Sequence, residues 1–267
     1  KQGIIVPETL RWDGTGEAGQ TITDGTYRFV LESWDDNNNR GSSKEYSVVV
    51  DNTPPAIQLE QPGEADLIFS PNGDGNKDIL PITQTGSAED LWKAEILSAE
   101  GTPVRTYSWE NKEPASFAWD GKNDTGEFVD DGVYTYRLYS TDRAGNTSSE
   151  SIDNIIKNTQ ETPVNVAINT AHFLFYFDGV KDEVVFTLNI PVEQGIVSWN
   201  VDVKDEGGNV VGSYSGRGNM PTRYSFDGKD GTGDILPEGT YYATISIVYQ
   251  NGNNPVSDSP PFTLDIT

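Results

Sequence analysis

The chain has 267 residues, of which 34% are hydrophobic, with 42 acidic against 18 basic side chains and a formal net charge of −24. Such a polyanion is repelled by nucleic-acid phosphate and by anionic lipid, which argues against both as partners. The complete lack of cysteine excludes disulfides, thiolate catalysis and cysteine-ligated zinc. No run of about 18 apolar residues exists to insert into a membrane. Residues 1–20 hold no apolar signal core, so any export signal is expected to have been removed or to lie outside this stretch.

Read in chain order, the predicted elements are short strands and turns, as 27 glycines and 15 prolines spread along the sequence require. Residues 27–31 form the first expected strand, followed by the acidic turn tip Asp35-Asp36-Asn37-Asn38-Asn39. That tip reads as a solvated turn, with a cation site as its alternative. A β-branched run at 48–50 leads into the linker Asp51-Asn52-Thr53-Pro54-Pro55, and proline makes such a joint stiff and extended. Residues 134–139 (YTYRLY) are the strand of an expected hairpin that turns at 142–146, and a second linker spans 158–163. An aromatic strand at 173–177 and a strand at 241–248 follow. No segment free of Gly and Pro shows a helical period.

An internal repeat organises these elements. WDGTGEAGQTITDGTYRF from Trp12, WDGKNDTGEFVDDGVYTY from Trp119 and FDGKDGTGDILPEGTYYA from Phe226 align without gaps at a spacing of 107. Asp13-Gly14, Asp120-Gly121 and Asp227-Gly228 open the motif; Tyr27, Tyr134 and Tyr241 begin the next strand. Trp92 and Trp199 repeat at the same spacing, as do 95–107 and 202–214, each with a hairpin glycine, Gly101 or Gly208. The expected division is therefore 1–53, the C-terminal half of an Ig-like repeat; 54–162, a complete Ig-like domain; and 163–267, another. The fold class is all-β, tandem immunoglobulin/fibronectin-like β-sandwiches joined by Pro-containing linkers. A half-repeat cannot close a sandwich alone. Residues 1–53 are expected to have lost their partner strands or to borrow them in a strand-swapped homodimer.

The D-G-x4-G-x5-G-x-Y core in three copies resembles the Ig-like domain of the bacterial flagellar hook-cap protein, the FlgD-like Ig domain. Residues 69–78 (FSPNGDGNKD) are similar to the opening motif of domains in secreted gliding-motility and type IX sorting proteins. In the third repeat only Asp178-Gly179-Val180-Lys181-Asp182 remains of that motif. The resemblance implies an exported bacterial protein with a scaffold or adhesion role and no chemistry.

Candidate sites are few. In the repeated motif the first glycine suits a positive φ, the aspartate accepts loop amides, and the tyrosine hydroxyl ties a loop down; loop-bound calcium is the alternative. Asn72, Asp74, Asn76 and Asp78 place oxygen side chains at alternate positions around Gly73 and Gly75, a pattern that suits calcium or an ordinary Asx turn. The glutamate that closes an EF-hand loop is absent, Thr83 standing there. His172 is the single histidine, without a nucleophile motif beside it, and reads as packed or at a strand edge. Pairs of carboxylates for glycoside hydrolysis arise by chance among 42 acids. Trp34 and Trp109 lack aromatic equivalents in the other repeats and are the rings expected at the surface for a protein or glycan partner. The expected protein is thus not an enzyme. It is a secreted, periplasmic or cell-surface spacer with no cofactor beyond calcium. An adhesin, a carbohydrate-binding or protein-binding module, or an accessory stretch of a larger secreted enzyme are the alternatives.

Overall fold

A computed structural model describes residues 8–174 and 183–266. Among these residues the secondary structure is almost entirely strand, with one 3₁₀ turn, Glu64–Asp66, and no α-helix. Alternation of apolar and polar side chains is what builds it. In Gly132–Thr141 (GVYTYRLYST) the side chains of Tyr134, Tyr136 and Leu138 are buried while Val133 and Arg137 face out, the period-two pattern of a half-buried antiparallel strand.

Buried apolar side chains separate into two clusters. One runs from Phe69 to Ile155 and centres on Trp92, Trp119 and Tyr136. The other runs from Val164 to Leu264 and centres on Phe173, Phe186 and Phe262. Around the first cluster a five-stranded sheet is ordered Pro103–Lys112, Glu89–Leu97, Gly132–Thr141, Thr147–Lys157 and Ile68–Phe69. It faces the pairs Leu80–Ile82 with Phe117–Trp119 and Ile57–Leu59 with Gln84–Gly86. The second cluster repeats that plan. A sheet ordered His172–Leu174, Phe262–Asp265, Gly239–Tyr249, Ile196–Asp205 and Val210–Arg217 covers the three-stranded sheet Asn165–Ile168, Val184–Asn189 and Arg223–Phe226. These are two aligned antiparallel sandwiches of immunoglobulin/fibronectin type in tandem.

Each large sheet ends in a short parallel pair. Ile68–Phe69 runs alongside the last residues of Thr147–Lys157, with Ile156 N donating to Leu67 O at 2.8 Å and Asn158 N to Phe69 O at 3.0 Å. His172–Leu174 does the same with Phe262–Asp265. Residues 8–53 contain two strand pairs, Gly25–Phe29 with Tyr46–Val50 and Glu32–Trp34 with Arg40–Ser42, an isolated bridge between Thr15 and Thr21, and no buried residue.

The structure extends the expected strand at 134–139 to Gly132–Thr141 and that at 241–248 to Gly239–Tyr249. The strand expected at 27–31 breaks into Gly25–Phe29 and Glu32–Trp34, because Leu31 leaves the ladder to bond Ser43 instead. The aromatic strand expected at 173–177 falls mostly outside the described residues, as does the remnant Asp178–Asp182.

Candidate functional site

The repeated motif is a loop held by its own side chains. Gly14, Gly121 and Gly228 have φ of 80, 76 and 75°, a left-handed conformation that glycine adopts without strain. Asp13 Oδ1 accepts from Thr15 N, Asp120 Oδ1 from Lys122 N and Asp227 Oδ1 from Lys229 N, at 3.1, 3.2 and 3.3 Å. Tyr27, Tyr134 and Tyr241 each donate to the carbonyl four residues back, at 2.8, 2.7 and 2.8 Å. Burial pushes the Tyr134 and Tyr241 hydroxyls up from their ordinary pKa, so both stay protonated donors at neutral pH.

One position in this motif escaped the sequence reading. The acid just before the third glycine pins the linker that leaves the unit. Asp24 accepts from Asn52 N at 2.7 Å and from Thr53 Oγ1 at 2.5 Å. Asp131 accepts from Thr159 N at 2.7 Å and from the nearly buried ammonium of Lys157 at 2.7 Å. Glu238 accepts from Ile266 N at 3.1 Å. The signal was available, because the three acids stand 107 residues apart in the aligned copies. Thr53 bonding holds the Asp24 carboxyl below its ordinary pKa. Burial pushes Asp131 up, but the bonds from Lys157 and Thr159 outweigh it and the net shift is down.

The joint between the two sandwiches is built by the Asn72–Asp78 loop. Within the loop, Asp78 Oδ1 and Oδ2 accept from Gly73 N and Gly75 N at 2.7 and 2.9 Å. Asn72 Oδ1 accepts from Asp74 N and Asp74 Oδ1 from Asn76 N, at 3.1 and 2.7 Å. These oxygens thus satisfy loop amides, as in nested Asx turns. Lys77 Nζ donates to Ala65 O at 2.5 Å and across the joint to Gln250 O at 3.0 Å. Among the described residues no group of three or more His, Asp or Glu side chains is placed to share a metal.

The facing element is the turn at 249–253. Asn253, buried, accepts from Asn72 Nδ2 at 3.1 Å and donates to Gln160 O at 2.7 Å. Asn251 Nδ2 donates to Asn158 O at 3.3 Å. Gly252 comes so close that a Cβ would lie 2.8 Å from Asn76 O. A crevice of 560 Å³ opens beside this contact, lined by Asn158, Gln160, Thr162, Val192, Glu193 and Asn251 among others. The corresponding turn of the preceding unit makes a lighter contact: Asn146 Nδ2 donates to Asp51 O at 3.1 Å and Ser148 Oγ to Pro55 O at 2.6 Å.

The remaining candidates lie apart. Asp35 Oδ1 accepts from Asn37 N and Asn39 N, both at 2.9 Å, so the acidic tip is a self-bonded turn. His172 is exposed on an edge strand paired to Thr263. Trp34 is half exposed. Trp109 corrects the expectation of a surface ring: it is 8% exposed and packs on Tyr107 and Phe117, at ring-centroid distances of 6.3 and 6.2 Å. Its aromatic neighbours fold over it; at the equivalent Gly216 a Cβ would lie 2.4 Å from the Trp199 ring, which stands in that place.

The family model of the FlgD Ig-like domain matches residues 71–144. The C5a peptidase of Streptococcus pyogenes is 32% identical over 117 residues, which is 36% of this chain and 10% of the peptidase. The chain thus spans a small part of that relative. A tetra-tandem repeat from the extending region of a large adhesion protein superposes with a TM-score of 0.36 at 18% identity, covering 93% of this chain and 59% of that one. A Ca²⁺-stabilised adhesin of an Antarctic bacterium gives 0.41 at 16% identity, covering 91% and 57%. The fibronectin(III)-like modules of Clostridium thermocellum CbhA give 0.36 at 15%, covering 79% and 92%. With TM-scores this low, the superpositions add nothing to the sheets and cores described above. The chain therefore contains an Ig-like domain similar to that of FlgD, within a tandem of β-sandwiches.

Proposed function

We propose that this chain is a non-catalytic spacer from a bacterial cell-surface or secreted protein, in which Ig-like units are locked in series so that something is held at a distance. One observation carries the reading. The same acid, Asp24 or Asp131, fastens the linker as it leaves each unit, and the second joint is closed further by Lys77, Asn72 and Asn253. Fixed joints are what a spacer needs and a hinged catalyst does not. Small-angle scattering on the intact chain tests it: an extended particle of fixed length supports a spacer, and a compact or broadly distributed one overturns it.

The spacer reading does not require calcium. The loop oxygens already serve amides, and we expect the unfolding midpoint to be unmoved by millimolar calcium. A rise abolished by Asp74→Ala with Asp78→Ala would make the loop a calcium site instead. Two further readings rest on single observations. The half-exposed Trp34 would suit an adhesin-like module for a protein or glycan, tested by glycan-array binding that Trp34→Ala removes. The match to C5a peptidase would suit an accessory stretch of a larger secreted enzyme, tested by deleting these units from the parent protein and assaying it.

A further inference from the structure

The crevice at the joint draws its walls from both sandwiches and from the linker between them. Ile68 and Ile156 come from the sandwich built around Trp92 and Trp119, Gln160 from the linker, and Val192, Gln194 and Gln250 from the other unit. Its 560 Å³ lies within the range of about 300–1,000 Å³ usual for small-ligand sites, which favour places where two units meet.

The polar part of this lining is mostly carboxamide. Asn158 and Asn251 line it too, but they serve the joint: Asn251 Nδ2 bonds Asn158 O, and Asn158 Oδ1 accepts from Gln160 N at 2.9 Å. The three glutamines are different. Gln160, Gln194 and Gln250 are exposed, and their side chains have no hydrogen-bond partner among the described residues. The joint uses the backbone carbonyls of Gln160 and Gln250, not their side chains. The repeat does not require these amides either. At a distance of 107 residues back stand Thr53, Ser87 and Arg143, and Arg143 is taken up by Asp90 at 2.6 and 2.8 Å.

The chemistry of the walls narrows the occupant. Glu193 is the one charged side chain in the lining, so an anion finds no counter-charge there, in a chain of net charge −24. A divalent cation needs several oxygen ligands carrying charge and meets a single carboxylate. An added peptide strand needs a sheet edge to pair with, and the edge that reaches the crevice, Ile68–Phe69, is two residues long. A carboxamide offers one acceptor and two donors in a plane, and a sugar hydroxyl both donates and accepts, so neighbouring hydroxyls match an amide edge. Ile68, Ile156 and Val192 add apolar surface for the C–H face of a sugar ring.

We propose that the joint crevice binds a neutral saccharide, a mono- or disaccharide unit of a glycan, through the side-chain amides of Gln160, Gln194 and Gln250. This goes beyond the spacer reading, since it gives the joint a ligand as well as a fixed geometry.

The test titrates the intact chain, labelled with nitrogen-15, with the methyl glycosides of glucose, galactose, mannose and N-acetylglucosamine, and with methyl glucuronide as the anionic control. The expected result is saturable shifts of the Gln160, Gln194 and Gln250 side-chain amide signals with at least one neutral glycoside, and weaker shifts with the glucuronide. Gln194→Leu combined with Gln250→Leu should weaken that binding by about tenfold or more. Both side chains are exposed and outside both cores, so an unchanged melting curve is the folding control. No shift with any neutral glycoside, shifts centred on Trp34 instead, equal binding of the glucuronide, or undiminished binding by the double variant would each overturn the proposal. The spacer reading, tested by scattering, would stand or fall separately.

Discussion

Lys77 and Gln250 belong to different sandwiches, and the ammonium of the first donates to the backbone carbonyl of the second at 3.0 Å. The same ammonium holds Ala65 O, so one side chain ties the 3₁₀ turn of its own unit to the turn of the next. Lys77→Met keeps an unbranched side chain only one atom shorter and removes all three donors. The expected outcome is a broader distribution of inter-unit distances in double electron–electron resonance between spin labels on the two sandwiches. The unfolding free energy of each unit should stay within about 0.5 kcal/mol of the parent.

Trp119 and Trp12 occupy the same place in two copies and should respond oppositely. Trp119 is fully buried, stacked edge-on against Tyr134 and close to Phe69. Trp119→Ala should cost the second unit about 3–5 kcal/mol in chemical denaturation. Trp12 is 49% exposed and outside both cores, so Trp12→Ala should leave that transition where it is.

Gly121 and Gly126 separate backbone strain from crowding. Both have positive φ, 76 and 85°, so alanine at either meets the left-handed penalty of about 1–2 kcal/mol. At Gly121 the new Cβ would also stand 2.9 Å from Pro71 Cγ and 3.3 Å from Lys157 Cε, whereas nothing lies within 4 Å at Gly126. Gly121→Ala should therefore be the more destabilising by about 1–3 kcal/mol, the usual cost of overpacking. Urea titrations of the two variants compare them directly.

Acid should weaken the joints before it weakens the cores. Asp24 and Asp131, which hold the linkers, both have pKa values below the ordinary 3.8. A carboxylate depressed by folding binds its proton more weakly in the native state than in the unfolded one. Its contribution is therefore complete above the ordinary value and is lost as pH falls through the lowered one. The melting temperature should be flat from neutral pH down to about 4 and drop below it. Asp131→Asn should be less stable at neutral pH and show a shallower acid limb.

Much of the fold was legible because the repeat states its own register. Trp12, Trp119 and Phe226 fixed the phase, and the glycines and tyrosines around them behave as their positions required. Asn72, Asp74, Asn76 and Asp78 were not legible in the same way. Alternating Asn and Asp around glycine is written alike for a cation loop and for nested Asx turns. The partners that define this loop as a joint, Gln250 and Asn253, lie more than 170 residues along the chain. Trp109 failed for a related reason, since comparing repeats shows where a ring recurs and not what folds over one that does not.

The short parallel pairs at the sheet ends bear on how such a chain meets tension. Residues 68–69 enter the sandwich built around Trp92 and Trp119 near its start and residues 156–157 leave it at its end, side by side and running the same way. A pull on the two ends therefore slides these strands past each other, loading the bonds from Ile156 N and Asn158 N together. An antiparallel pair pulled from one end would instead open one bond at a time. His172–Leu174 against Phe262–Asp265 repeats the arrangement in the other sandwich. A chain without a single disulfide thus carries, at the entry and exit of each of its two sandwiches, a clasp that resists load by shear.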